Sequence, residues 1–127
     1  MTAPHQRPAP ELRVRSKIWI ERDGEVLMSE YRVRLLEAVA SHGSVAAAAE
    51  ALGLPYRTAW KKLGEMAEAA RVPLLESGSG GSGGGQSHLT AAAQEMVAAF
   101  RRLAGPVQKG VDARFTGEAG HFGGERG

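Results

Sequence analysis

Residues 44–70, SVAAAAEALGLPYRTAWKKLGEMAEAA, read as two helices joined by a turn too short to let them run antiparallel. Ser44 is placed to cap the first, because its hydroxyl accepts from the free amides of the opening turn, and Val45 to Leu52 are good helix formers. Ala46, Ala47, Ala48, Ala49 and Ala51 let a second helix approach closely, while Val45 and Leu52 add larger apolar contacts. Gly53 suits the left-handed position that ends a helix, and Pro55 presets the first turn of the next. The spacing predicts a helix-turn-helix.

In the second helix Ala59, Leu63 and Met66 recur at intervals of four and three, so one stripe faces the first helix. Tyr56, Arg57, Trp60, Lys61 and Gly64 fall outside that stripe. Arginine forks onto the major-groove edge of guanine, lysine neutralises phosphate, and tyrosine or tryptophan makes apolar and hydrogen-bonded contact, so this face suits duplex DNA. A solvated basic face is the alternative reading of the same residues, and the two-helix geometry favours DNA over it.

Upstream, Ser29 is placed to cap a support helix that runs to about Ser41, with Tyr31, Leu35, Leu36 and Val39 on its apolar side and His42-Gly43 as the break. Before it, Leu12, Val14, Ser16, Ile18 and Ile20 alternate with Arg13, Arg15, Lys17, Trp19 and Glu21, the pattern of a half-buried strand. Asp23-Gly24 is a hairpin turn signal, and Val26 to Met28 return as a short partner strand. The cations on the outer face of the first strand suit a protected sheet edge, with a phosphate backbone or a partner subunit as the alternative contact.

Downstream, Pro73-Leu74-Leu75-Glu76 reads as a short strand ahead of Ser77 to Ser87, which is nearly all glycine and serine. Gly78, Gly80 and Gly83 match a dinucleotide fingerprint, and residues 80–87 match a P-loop except that Gln86 stands where the lysine belongs. Neither reading holds, since no βαβ unit surrounds them and the missing lysine is the charge that reaches the phosphates. A flexible linker is a second reading. Leu74-Leu75 on one side and Leu89-Thr90 on the other instead suggest a hairpin wing beside the second motif helix, whose glycine backbone can approach sugar and phosphate.

Thr90 is placed to cap the last helix, in which Met96, Phe100, Leu103 and Val107 form an apolar seam. A two-fold dimer covers such a seam and sets two DNA-reading helices about one turn of duplex apart, ~34 Å. Packing on the chain's own first helix is the alternative. Gly105-Pro106 is expected to bend or interrupt the helix, and from Thr116 the tail has too little apolar content to fold.

The chain of 127 residues fits one domain, and its net charge of +2 leaves any DNA preference to local clustering. Without cysteine there is no disulfide frame or thiolate, and His5, His42, His88 and His121 lack metal-site spacing. No nucleophile stands with its base and no carboxylates pair in a pocket context, so an enzyme is not expected, nor is any cofactor. No apolar run is long enough for a signal or membrane span, which suggests a cytoplasmic protein. The expected divisions are a disordered Pro-rich leader at 1–10, a winged helix-turn-helix domain at 11–110 with a dimerisation helix at about 90–110, and a Gly-rich flexible tail at 111–127. The expected class is mainly α with a small β component.

The runs RLLEAVASHGSVAAAAEALGLPYRTAWKKLGEM from Arg34, PLLE from Pro73, GSGGSGGG from Gly78 and HLTAAAQEMVAAFRRL from His88 closely resemble the N-terminal DNA-binding domain of the molybdate-responsive ModE regulators, a branch related to LysR-type winged helix-turn-helix proteins. The resemblance covers about Leu12 to Gly110, and its most specific parts are Ala59-Trp60 and the Gly-rich loop closing on Leu89-Thr90. It implies a transcription regulator that binds double-stranded DNA as a homodimer, with Tyr56, Arg57, Thr58, Trp60 and Lys61 on the recognition helix. Three positions depart from the family pattern: Pro55 replaces a serine cap, Ala93 replaces a glycine, and no Lys or Arg lies between Ser77 and Ser87. The molybdate-binding module of full-length members finds no room in this sequence, so molybdate binding is not expected.

Overall fold

A computed structural model describes residues 11–77 and 85–123. They divide into two compact units, one of Lys17–Ala104 and one made of the residues up to Ser16 together with those from Gly105 onward. The leader at 1–10 and most of the Gly-rich loop, with the phosphate-loop patterns in it, lie outside the described residues.

In the larger unit β1 (Trp19–Arg22) pairs antiparallel with β2 (Glu25–Ser29), with a bulge between Ile20 and Glu21. Asp23 and Gly24 take φ of 52° and 84°, the double left-handed geometry of a tight hairpin turn. The expected strand over 12–21 is therefore corrected: it begins only at Trp19. The cause is length, since β2 reaches its last pairing at Ser29 opposite Trp19 and the chain there turns into a helix. The alternation itself persists, with Val14, Ser16, Ile18 and Ile20 half-buried and Arg13, Arg15, Lys17 and Glu21 exposed.

Helix α1 (Glu30–His42) is capped by Ser29, which accepts from the Arg32 amide, and is closed by Gly43 at φ 81°. Leu35, Leu36 and Val39 are buried as expected, joined by Val33 and Ala38. Tyr31 is not buried; it remains 43% exposed. Its phase matches that of Leu35 and Ala38, yet in the same turn it is Val33 that is buried.

Helices α2 (Val45–Leu52) and α3 (Tyr56–Ala70) follow, and α2 packs on both α1 and α3. Strands β3 (Leu75–Ser77) and β4 (Ser87–Leu89) pair antiparallel, Leu75 opposite Leu89 and Ser77 opposite Ser87. Their base is fixed at three points. The Ser87 amide donates to the Gly43 carbonyl at 2.9 Å, and the Thr90 amide donates to the Leu74 carbonyl at 3.0 Å. The Thr90 hydroxyl donates to the Pro73 carbonyl while accepting from the Ala93 amide, which caps the helix that follows. The order of elements is that of a winged helix-turn-helix, mainly α with a small β component.

Helix α4 (Ala91–Glu118) carries two corrections. The backbone remains helical through Gly105-Pro106, where proline removes one hydrogen bond without ending the run. Nor does the fold stop at Thr116, because a 3-10 turn over Ala119–Phe122 follows and sets the Phe122 ring 6.1 Å from Phe115. In this smaller unit Gln108 stands in for a strand neighbour: its side-chain oxygen accepts from the Ser16 amide and hydroxyl, and its amide donates to the Val14 carbonyl.

The core of the larger unit joins Met28, the α1 residues, Val45, Ala48, Ala49, Ala59, Leu63, Met66, Leu74, Leu89, Ala93 and Phe100. Phe100 decides the alternatives for the α4 seam at its own position. It is buried within its own chain, and Met96 packs partly against the same core, whereas Leu103 is 53% exposed. Val107, in the smaller unit, is exposed as well.

Candidate nucleic-acid interface

The site is built from the turn outward. At the end of α2 the Leu54 amide donates to the Ala49 carbonyl at 2.8 Å and the Gly53 amide to the Glu50 carbonyl at 3.1 Å, a Schellman closure. It requires Gly53 at φ 69°, and Leu54 then turns inward against the core. Ser44 accepts from the Ala47 amide at the opposite end of α2. The buried side of α2 is Val45, Ala48 and Ala49, and α2 packs on α3.

Pro55 stands at the cap position that the family resemblance implies, one residue before the first turn that its own chemistry suggested, with φ −61° and no side-chain capping bond. The first intrahelical bond is from the Ala59 amide to the Pro55 carbonyl at 3.1 Å. The amides of Tyr56, Arg57 and Thr58 therefore point along the axis without a partner among the described residues, an arrangement that receives anions.

Ala59, Leu63, Met66 and Ala70 are the buried side of α3. Of the five residues assigned to recognition, Tyr56, Arg57, Trp60 and Lys61 are exposed and share the first two turns, while Thr58 is half-buried. Tyr56 and Trp60, 54% and 44% exposed, meet edge to face at a centroid distance of 6.2 Å. Among the described residues neither Arg57 nor Lys61 enters an ion pair.

The charge order along α3 was missed in the sequence reading. Arg57, Lys61 and Lys62 occupy its N-terminal half, and Glu65 and Glu68 its C-terminal half. In the terminal turns, where the helix macrodipole acts, Arg57 at the start and Glu68 at the end run against it, at about 0.3–1 kcal/mol each. The order concentrates positive potential in the exposed N-terminal half of the helix.

The far end of α3 is held by the β1–β2 hairpin. Arg22 donates to the Ala69 carbonyl at 2.9 Å, and Asp23 lies 3.6 Å from the Arg71 guanidinium, with Arg71 itself left-handed at φ 63°. The helix, about 22 Å long, is thus held at its far end by the hairpin as well as at its start by the turn from α2.

Comparison with known proteins agrees with this geometry. The family model described as bacterial regulatory helix-turn-helix protein, lysR family, matches residues 31–94, from the start of α1 into α4. Molybdenum-pterin-binding protein MopA of Rhodobacter capsulatus is 39% identical over 92 residues, covering 72% of this chain and 35% of that protein. Molybdenum transport protein ModE of Azotobacter vinelandii is 33% identical over 97 residues, covering 76% of this chain and 36% of its own length. DNA-binding transcriptional dual regulator ModE of Escherichia coli is 35% identical over 81 residues, covering 64% and 31%. The chain thus spans only 31% to 36% of the length of these relatives. With a matching family model that runs from the support helix through the helix-turn-helix and the strand pair, the chain belongs to the lysR family of bacterial regulatory helix-turn-helix proteins.

Proposed function

We propose that this chain is a transcription regulator that binds duplex DNA sequence-specifically as a homodimer, reading the major groove with α3 and following the backbone with the strand pair and loop at 77–88. The observation that carries the reading is the start of α3, where Arg57 and Lys61 are exposed and, among the described residues, without ion pairs, beside backbone amides that have no partner there, with Arg57 in the first turn set against the helix dipole. A helix end of that kind gains when a polyanion supplies the missing charge. Tyr56, Arg57 and Trp60 are the base-reading candidates, Lys61 the phosphate contact, and Thr58 a polar contact at the helix start. The work belongs in the cytoplasm, where bacterial DNA lies; among the described residues no helix is long and apolar enough to cross a membrane.

Exposed Leu103, next to the buried Phe100 on α4, supports pairing of two copies along that helix. One observation favours a second reading, a protein-interaction or dimerisation module without sequence-specific DNA binding: residues 77–87 contain no cation, so the loop lacks the charge that usually grips phosphate. Selection of bound duplexes from a random DNA pool decides between the two. Enrichment of a two-fold symmetric sequence supports the regulator. A pool that stays random after repeated rounds removes it.

A further inference from the structure

Gly64 is a residue of α3 whose presence packing among the described residues does not explain. Glycine inside a helix costs about 0.5–1 kcal/mol relative to alanine. At Gly64 the cost is not forced, because φ is not positive and, beyond its chain neighbours and its own helix backbone, a methyl group there would meet no atom of the described residues within 4 Å. The position is exposed, one turn beyond Trp60 and two turns beyond Arg57, on the side of the helix away from Ala59, Leu63 and Met66. The space that the missing side chain leaves is therefore open among the described residues.

Tyr56 and Trp60 are also unexplained by the fold. They are not among the buried core residues, and each presents roughly half of its surface to solvent. Their edge-to-face contact restrains both rings, so the pair offers a preorganised apolar surface with little side-chain entropy left to lose. Arg57 and Lys61 each follow one residue later, so an aromatic row and a basic row run side by side along the exposed start of α3.

We propose that Tyr56, Trp60 and Gly64 form an apolar track that selects thymine by its 5-methyl groups, with Gly64 providing the clearance that seats the two rings at methyl depth. This rests on the DNA-binding reading above and extends it to the base chosen. The thymine methyl is the only apolar group that a base pair displays in the major groove, so an aromatic surface there has one partner. Gly64 lies about 10 Å along the axis from Arg57, against a groove about 12 Å wide. With Arg57 over the base edges, position 64 reaches the wall of the groove, and a side chain there lifts the helix away from the bases.

The test uses the whole chain and the duplex enriched from a random pool, resynthesised with deoxyuridine in place of thymidine at one position at a time. Removing one contacted methyl weakens binding roughly four-fold, the factor that burial of one methyl-sized group carries. That loss vanishes in Trp60→Ala, whose circular dichroism should match the parent because the ring lies outside the core. Gly64→Ala gives opposite signs in two measurements, a higher Tm and weaker DNA binding, which a purely structural glycine does not produce. Binding that is indifferent to uracil at every position overturns the track while leaving the DNA reading in place. A Gly64→Ala protein that binds as tightly as the parent overturns the clearance role. If no duplex is enriched at all, the DNA reading fails and this inference fails with it.

Discussion

Arg101 of α4 closes a two-point ion pair on Glu37 of α1, with its Nε 3.0 Å and its Nη2 2.7 Å from the two carboxylate oxygens. A third bond, from Nη1 to Glu30 at 2.8 Å, makes the guanidinium a clamp between the start and the middle of α1 and the helix after the strand pair. The hydrogen bonds to Glu37 and then to Glu30 hold its proton more tightly than in an ordinary arginine, burial opposing them only in part. A raised arginine pKa contributes stability that is present throughout the neutral range and lost only as strongly alkaline pH is reached.

The clamp is partly open to solvent, so its value is modest. Arg101→Leu should cost about 1 kcal/mol, less at high salt, and should lower Tm by several degrees. A double-mutant cycle with Glu37→Gln measures the coupling. A coupling near zero would mean that α4 is held by its apolar contacts with the core and its Thr90 cap, without help from the ion pair.

The two ends of α2 offer a second measurement. Ser44→Ala removes the bond to the Ala47 amide, and Gly53→Ala forces a side chain into φ 69° where space is open but the conformation is strained. Each should cost about 1 kcal/mol by chemical denaturation, and because the two sites are about 12 Å apart the double variant should show the sum. Gly53→Ala with parental stability would indicate that the turn before α3 has another available geometry.

A third experiment separates core from seam along α4. Phe100→Ala should cost about 3–5 kcal/mol, since it empties a buried site touching the rest of the core. Leu103→Asp lies on the exposed side and should change the stability of the single chain by no more than about 0.5 kcal/mol. Sedimentation then tests the homodimer: the Leu103→Asp protein is expected to be monomeric at concentrations where the parent is dimeric. A parent that sediments as a monomer at micromolar concentration while protecting a palindrome-length site removes the seam.

These results divide along a physical line. The helix-turn-helix was legible because each boundary is set by local chemistry: a serine cap at Ser44, a left-handed glycine at Gly53, and a stripe of Ala59, Leu63 and Met66 at helical spacing. The strand pair closing on Leu89-Thr90 was legible for a similar reason. What was misread depends on neighbours distant in sequence. Alternation from Leu12 states which side faces inward but not whether another strand lies alongside, and β2 is too short to supply one before Trp19. Tyr31 shares the phase of Leu35 yet stays exposed, and the stripe of Met96, Phe100 and Leu103 meets the core at Met96 and Phe100 but not at Leu103. At the candidate interface the exposed residues were readable, yet the unpaired amides and the bond from Arg22 that anchors the other end of α3 required coordinates.

The last prediction distinguishes the two cations at the start of α3 by how they respond to salt. Arg57 is in the first turn, with a planar fork that matches the major-groove edge of guanine, whereas Lys61 is one turn further on as a point charge suited to phosphate. Arg57→Ala should cost about 1–3 kcal/mol on the preferred duplex and flatten the preference at one position of each half-site. Lys61→Ala should weaken all duplexes alike. It should also lower the slope of log affinity against log salt by about 0.9 per contact removed, or nearly two for a dimer, because one fewer counterion is released at each site. The discriminating quantity is the pairing of slope with sequence preference. Should Arg57→Ala lower the slope and keep the full sequence preference, the roles are reversed; if both variants behave as the parent, α3 does not enter the groove by this face.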